Sequence, residues 1–192
     1  MGEIQGMHTS VQVTLPEQRQ SGLLALPARV DADWLAAYVT ARHEKKIALQ
    51  LNRRGVPYLL PLYRSIRRWK DRRKELDLPL FPGYIFVNIA MKDRLRVQSV
   101  PGVVHFVQFN GQPAVIPQNE IDNLRRGLST GATVEPHPFL TVGRKVRVRS
   151  GAMAGLEGVL TRRKDKFRVV ITIELIQRSL AVEVDEGDIE PS

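Results

Sequence analysis

The chain contains no cysteine, which excludes disulfides, thiolate nucleophiles and cysteine-built zinc sites together and makes a cytoplasmic protein the simplest expectation. Long hydrophobic runs are missing as well. No stretch approaches the roughly 20 apolar residues of a membrane-spanning helix. Residues Met1 to Asp33 have neither the basic start nor the apolar stretch of a secretion signal. Histidine is sparse: His8, His43, His105 and His137 show no metal-ligand spacing, and each reads as an ordinary surface or half-buried residue. There is no phosphate-cradling Gly-Lys-Ser/Thr loop and no Gly-x-Ser-x-Gly turn. The acids Asp185, Glu186 and Asp188 read as a solvated turn near the C-terminus. The expectation is a non-enzyme without catalytic residue, metal or cofactor.

What is present suits a folded, polyanion-seeking protein. The 192 residues, 43% hydrophobic and 26% charged, can bury a core, and their number suits one ordinary domain plus a small module, or two small domains. The formal net charge of +9 attracts DNA, RNA or an acidic surface.

Residues 1–32 lack sustained periodicity and read as a mobile extension. Trp34 to Val39 is an apolar run of strand length, central in a sheet if it is a strand. His43 to Arg54 reads as a helix with Ile47, Ala48 and Leu51 on one side, ended by Gly55. Strands are expected at Tyr58 to Trp69 and Gly83 to Ile89, separated by the polar stretch Lys70 to Asp77. A short helical stretch at Asp93 to Ser99 precedes a hairpin, Val103 to Phe109 and Pro113 to Ile116, turning at Asn110-Gly111. A helix over Pro117 to Gly127 closes the unit.

The sum is an α+β domain, 33–128, with an antiparallel sheet flanked by helices. A linker is expected at 129–140, because Gly131, Pro136 and Pro138 fall there. Residues 141–192 read as a small all-β barrel: Val146 and Val148 alternate with charges, and Val159-Leu160, Phe167 to Ile173 and Leu180 to Val184 follow.

Twelve cations lie between Arg42 and Lys74 against the two acids Glu44 and Asp71. Lys and Arg at such density bind phosphates without reading sequence. Arg42, Lys46 and Arg53 share one helix face, and Trp69 could stack on an unpaired base. A solvated strand end with Trp69 packed inward is the competing reading, and composition leaves both open.

In Phe81-Pro82-Gly83-Tyr84-Ile85-Phe86, Tyr84 and Phe86 share a strand face opposite Ile85 and Val87, so both faces are apolar. Either a second helix of the same domain covers one face or an external protein does.

These residues resemble the NusG family of transcription elongation factors, in which an N-terminal domain is followed by a KOW domain with an SH3-like barrel. The resemblance runs from about Asp33 to the C-terminus. It rests on Trp34 to Val39, Pro57 to Leu62, Phe81 to Phe86, Ser99-Val100-Pro101-Gly102-Val103, and the segment Val148 to Val159 with Gly151, Gly155 and Gly158. It implies an elongation or antitermination factor whose Tyr38, Phe81, Pro82, Tyr84 and Phe86 grip the clamp helices of the largest RNA polymerase subunit. Upstream or non-template DNA would lie against Arg42, Lys46, Arg53, Arg67, Arg68, Lys70, Arg72, Arg73 and Lys74. The KOW domain would recruit a NusE-type ribosomal protein or Rho. No membrane partner is implied, and a monomer is expected.

The hairpin Phe106 to Ile116 and the stretch Arg64 to Trp69 resemble the specialised RfaH and UpxY paralogues, implying an operon-restricted antiterminator. Val100-Pro101 departs from the Thr-Arg pair that RfaH uses on DNA. RfaH can refold its KOW region as helices; here Val169 to Ile173 is dense in β-branched residues and three glycines would each cost a helix roughly 1 kcal/mol, so a stable barrel is expected. The rival functions are a general NusG assisting Rho-dependent termination and a ribosome-associated RNA-binding KOW protein; an RNA-modifying enzyme is a distant third.

Overall fold

A computed structural model describes residues 23–25, 31–69, 72–129, 132–139, 143–163 and 166–192. In chain order its strands and helices are β1 (Leu23–Ala25), β2 (Asp33–Val39), α1 (Glu44–Arg53), β3 (Tyr58–Trp69), β4 (Arg72–Pro79), β5 (Tyr84–Ile89), α2 (Arg94–Gln98), β6 (Val103–Phe106), β7 (Gln108–Phe109), β8 (Gln112–Pro113), β9 (Val115–Ile116) and α3 (Gln118–Leu128). The C-terminal part adds β10 (Val134–His137), β11 (Lys145–Val148), β12 (Glu157–Arg163), β13 (Lys166–Ile173), β14 (Arg178–Val184) and β15 (Ile189–Pro191).

The first sheet runs β1-β3-β5-β2-β6, with β4 paired to β3 and β9 to β2. Alternation along the strands sorts its residues onto two faces. Leu35, Ala37 and Val39 of β2 and Ile85, Val87 and Ile89 of β5 pack with Ile47, Ala48 and Leu51 of α1. On the other face Trp34, Ala36, Leu59 and Phe86 pack with Ile121, Leu124 and Leu128 of α3. Each such fully buried Leu, Ile or Phe contributes roughly 1.5–3 kcal/mol. The apolar spacing i, i+3, i+7 on α3 is what a helix laid on a sheet requires.

The second sheet runs β10-β14-β13-β12-β11-β15, all neighbours antiparallel. Its inner residues, including Val146, Val148, Val169, Ile171 and Val182, belong to the same apolar cluster as α3. Helix α3 therefore has two packed sides. A Cβ built on Gly127 would come within 2.7 Å of Ile171 Cδ1 and 3.0 Å of Val182 Cγ2, so a residue without a side chain lets the helix reach the barrel wall. Polar contacts frame that approach. Asn123 Nδ2 donates to the Glu157 carbonyl at 2.8 Å, and the Glu157 N–H donates to Asn123 Oδ1 at 2.9 Å. The Arg126 guanidinium donates to the Gly155 carbonyl at 3.2 Å.

The α+β domain and the all-β barrel agree with the sequence reading, and four local expectations need correction. The extension 1–32 contains β1, paired antiparallel with Leu59–Pro61 of β3; residues 1–22 and 26–30 lie outside the described residues. The polar stretch Lys70 to Asp77 is mostly strand, because β4 pairs with β3 along eight positions from Leu62↔Pro79 to Trp69↔Arg72. The linker 129–140 contains β10, whose Pro136 is tolerated because β10 is an edge strand. The strand expected over Val103 to Phe109 also breaks at Val107, whose N–H turns to the Ala36 carbonyl.

Candidate protein-docking and nucleic-acid surfaces

The aromatic run is organised by the turn that precedes β5. Gly83 takes φ +84, a left-handed conformation that disfavours side chains, and its carbonyl accepts from the Val39 N–H at 2.8 Å. Its own N–H donates to the buried carboxylate of Glu44 at 2.9 Å, tying the turn to the first residue of α1. The Tyr84 N–H closes the turn on the Phe81 carbonyl at 3.0 Å.

Over this turn lie three rings. A Cβ on Gly83 would stand 3.3 Å from Tyr38 Cε2, so glycine lets the Tyr38 ring lie flat here. Tyr38 meets Tyr84 edge-on at 5.4 Å between centroids and His105 at 5.2 Å. Tyr38 is 40% exposed, Pro82 and His105 are exposed, and Tyr84 is half-buried. Isolated aromatic side chains usually bury; a cluster left open at a sheet end is a surface ready to desolvate against another protein.

Phe81 and Phe86, expected among the contacts, do not reach the surface. They are 1% and 0% exposed and pack on each other at 5.6 Å beneath α3. For this face the alternative of a covering helix holds at the Phe86 end, where α3 packs, while the Tyr38–Tyr84 end stays open. Sequence reasoning missed Glu44 and His105. A register pairing Tyr38 with His105 would have revealed the histidine; no local signal marks a first-turn glutamate for burial.

The cationic residues fall into two groups. Arg42, Lys46 and Arg53 are exposed on and beside α1, with Arg42 at φ +66. Here the structure adds Arg96, which sequence reasoning passed over, and sets beside it Arg54, one of the twelve cations of the cluster but not one of the expected DNA contacts. Arg54 donates to the Arg96 carbonyl at 3.0 Å and Ser99 Oγ at 2.7 Å, while Arg96 donates to the Arg54 carbonyl at 2.8 Å. Each guanidinium satisfies carbonyls at the other helix's C-terminus, the end that favours positive charge. The second group is on the β3–β4 ribbon, where Arg73 and Lys74 are exposed and stand opposite Arg68 and Arg67 in the register. Lys70 and the side chains of Arg67, Arg68, Trp69 and Arg72 lie outside the described residues.

Among the described residues, no group of three His, Cys, Asp or Glu side chains could hold a metal ion, and no helix is long and apolar enough to cross a membrane.

Residues 32–125 match the family described as "Transcription termination factor nusG". The transcription termination/antitermination protein NusG of Lactococcus lactis is 27% identical over 175 residues, 83% of this chain and 93% of that protein. The protein of the same name from Escherichia coli K12 is 30% identical over 124 residues, 62% of this chain and 68% of that protein. A solved structure described as "Domain interaction in Thermotoga maritima NusG" aligns with a TM-score of 0.50 at 25% identity, covering 83% of this chain and 97% of that one.

Proposed function

The chain belongs to the NusG family of transcription termination/antitermination factors, and from that premise we propose that it acts by gripping the clamp helices of RNA polymerase's largest subunit with Tyr38, Pro82 and Tyr84. The observation that carries this reading is the open Tyr38–Tyr84–His105 cluster at the end of a sheet otherwise sealed by helices on both faces. Phe81 and Phe86 support the patch from beneath. Arg42, Lys46 and Arg53, with Arg54 and Arg96 beside them, meet upstream or non-template DNA, as do the cations of the β3–β4 ribbon. Bridging polymerase and DNA favours continued elongation. The protein is a monomer that works in the cytoplasm without catalysing a reaction, and its units are 33–128 and the barrel, with the joint shortened to about 129–133 by β10.

The barrel recruits a NusE-type ribosomal protein or Rho. The projecting ribbon and the small β7–β8 hairpin support a specialised antiterminator of the RfaH and UpxY kind. A general factor assisting Rho is the second reading, favoured by relatives whose names span termination and antitermination. Binding of the purified full chain to core RNA polymerase tests the proposal: a folded Tyr38→Ala/Tyr84→Ala variant should bind at least tenfold more weakly. Equal binding by the variant would overturn it. Ribosome profiling after deletion separates the second reading, which expects altered termination across the genome instead of at a few long operons.

A further inference from the structure

The acids Asp185, Glu186 and Asp188, which the sequence reads as a solvated turn, form one wall of a groove on the barrel. Its volume is about 640 Å³, inside the roughly 300–1,000 Å³ range of ligand-binding clefts. Val148, Met153, Phe167 and Val184 give it an apolar floor, and Met153 and Phe167 are only half-buried, so part of each side chain is left uncovered. Ala132 and Thr133 close one side, where the Glu183 N–H donates to the Thr133 carbonyl at 3.1 Å. No residue of α3 lines the groove, so it stays open while α3 covers the wall that contains Ile171 and Val182.

The acidic wall is pinned in place. The Arg149 N–H donates to the Asp188 carbonyl at 2.8 Å, and the Arg149 guanidinium donates to the Gly187 carbonyl at 2.6 Å. Ser150 Oγ donates to the Asp188 carboxylate, and the Asp188 N–H closes the turn on the Asp185 carbonyl at 3.1 Å. Such preorganisation reduces the entropy lost when a ligand binds. Charge is uneven as well: the lining residues include four acids, Glu183, Asp185, Glu186 and Asp188, against one cation, Lys166. Lys166 is held by Glu183 at 2.6 Å. Asp185 and Glu186 remain, exposed and with no cation paired to them among the described residues. Residues 183–190 hold five acids and no cation, in a chain whose net charge is +9.

We infer that this groove docks a basic peptide segment of another protein, with one apolar side chain seated on Met153 and Phe167 and flanking Lys or Arg residues meeting Asp185 and Glu186. Phosphates would meet like charge at this wall, so the occupant is a protein and not a nucleic acid. The apolar contact supplies affinity, and the opposed charges select the partner and its orientation. The site requires neither the aromatic patch nor separation of α3 from the barrel, so it stands independently of the polymerase reading.

The test follows amide chemical shifts of the full chain at about 0.1 M salt, where charges further apart than roughly 10 Å are screened. Three probes are titrated: the capped peptides Lys-Lys-Leu-Arg-Lys and Lys-Lys-Ala-Arg-Lys, and a single-stranded DNA of about 20 nucleotides. The leucine peptide should give saturable shifts at residues 148–153, 166–167 and 183–188, and the alanine peptide should bind at least fivefold more weakly. Asp185→Asn/Glu186→Gln removes two exposed charges, should leave the circular dichroism spectrum unchanged, and should weaken the leucine peptide at least fivefold. The DNA should leave the groove residues unshifted. Absence of saturable shifts in the groove, equal binding by the two peptides, or undiminished binding in the variant would each overturn the inference. Shifts of the groove residues by DNA would overturn it in favour of a nucleic-acid occupant.

Discussion

The Gly83 N–H donates to the buried carboxylate of Glu44 at 2.9 Å, joining residues 39 positions apart and fixing the turn on which Tyr38 lies. This bond couples the start of α1 to the aromatic patch. Leaving a buried donor unpaired costs about 1–3 kcal/mol. Glu44→Ala should therefore lower stability by about 2 kcal/mol in denaturant titration, whereas Glu44→Gln, which keeps an acceptor, should lose less than half as much. Equal losses would assign the effect to packing instead.

Gly127 governs whether α3 and the barrel stay together. Replacement by Leu suits a helix but overfills the space before Ile171 and Val182, at about 1–3 kcal/mol. Small-angle scattering of Gly127→Leu should show a larger radius of gyration with unchanged secondary structure. An unchanged radius would mean that Asn123 and Arg126 suffice to hold the contact.

Glu120 gives this contact a pH dependence. Burial raises its pKa above the ordinary 4.5, against the lowering effect of the Glu174 N–H that donates to it at 3.3 Å, and the nearby Glu174 carboxylate raises it further. The docked state therefore holds the proton more tightly than a separated one, so docking strengthens as pH falls from neutral through the raised pKa. Glu120→Gln should dock more firmly at neutral pH and lose that dependence, read by domain-interface chemical shifts between about pH 4 and 7.

Much of the fold was legible because periodicity is local. Val146 and Val148, Ile47 with Leu51, and Ile121 with Leu124 announce their partners through spacing alone. Strand β4 was passed over because the charged run Lys70 to Glu75 outweighed the short alternation of Leu76 and Leu78 with Glu75 and Asp77, and pairing with β3 holds it in register. Strand β10 hid behind Pro136 and Pro138, residues that suggest a linker yet are acceptable at a sheet edge. For the aromatic site, parity identified the face shared by Tyr84 and Phe86. How far along that face α3 extends depends on tertiary packing, and so Phe81 and Phe86 were misplaced.

Arg168 links β10 to the barrel. It is buried, with its guanidinium donating to Glu135 at 2.9 Å and to Glu183 at 3.0 Å. The Lys166 ammonium, with Arg168 assisting, holds the Glu183 carboxyl below its ordinary 4.5. A depressed carboxylate pKa stabilises the fold above about pH 4.5, and that stability is lost as pH falls towards the depressed value. Arg168→Met should destabilise the barrel by about 2 kcal/mol at neutral pH, and less at pH 3, in thermal unfolding followed by circular dichroism.

The most direct test of the central claim is pausing by purified RNA polymerase on a defined template, with the full-length protein or its Tyr38→Ala/Tyr84→Ala variant at equal concentration. The unsubstituted protein should shorten pauses or increase read-through, and the folded variant should lose most of that effect. A variant as effective as the unsubstituted protein, or an unsubstituted protein without effect, would contradict action through the aromatic patch.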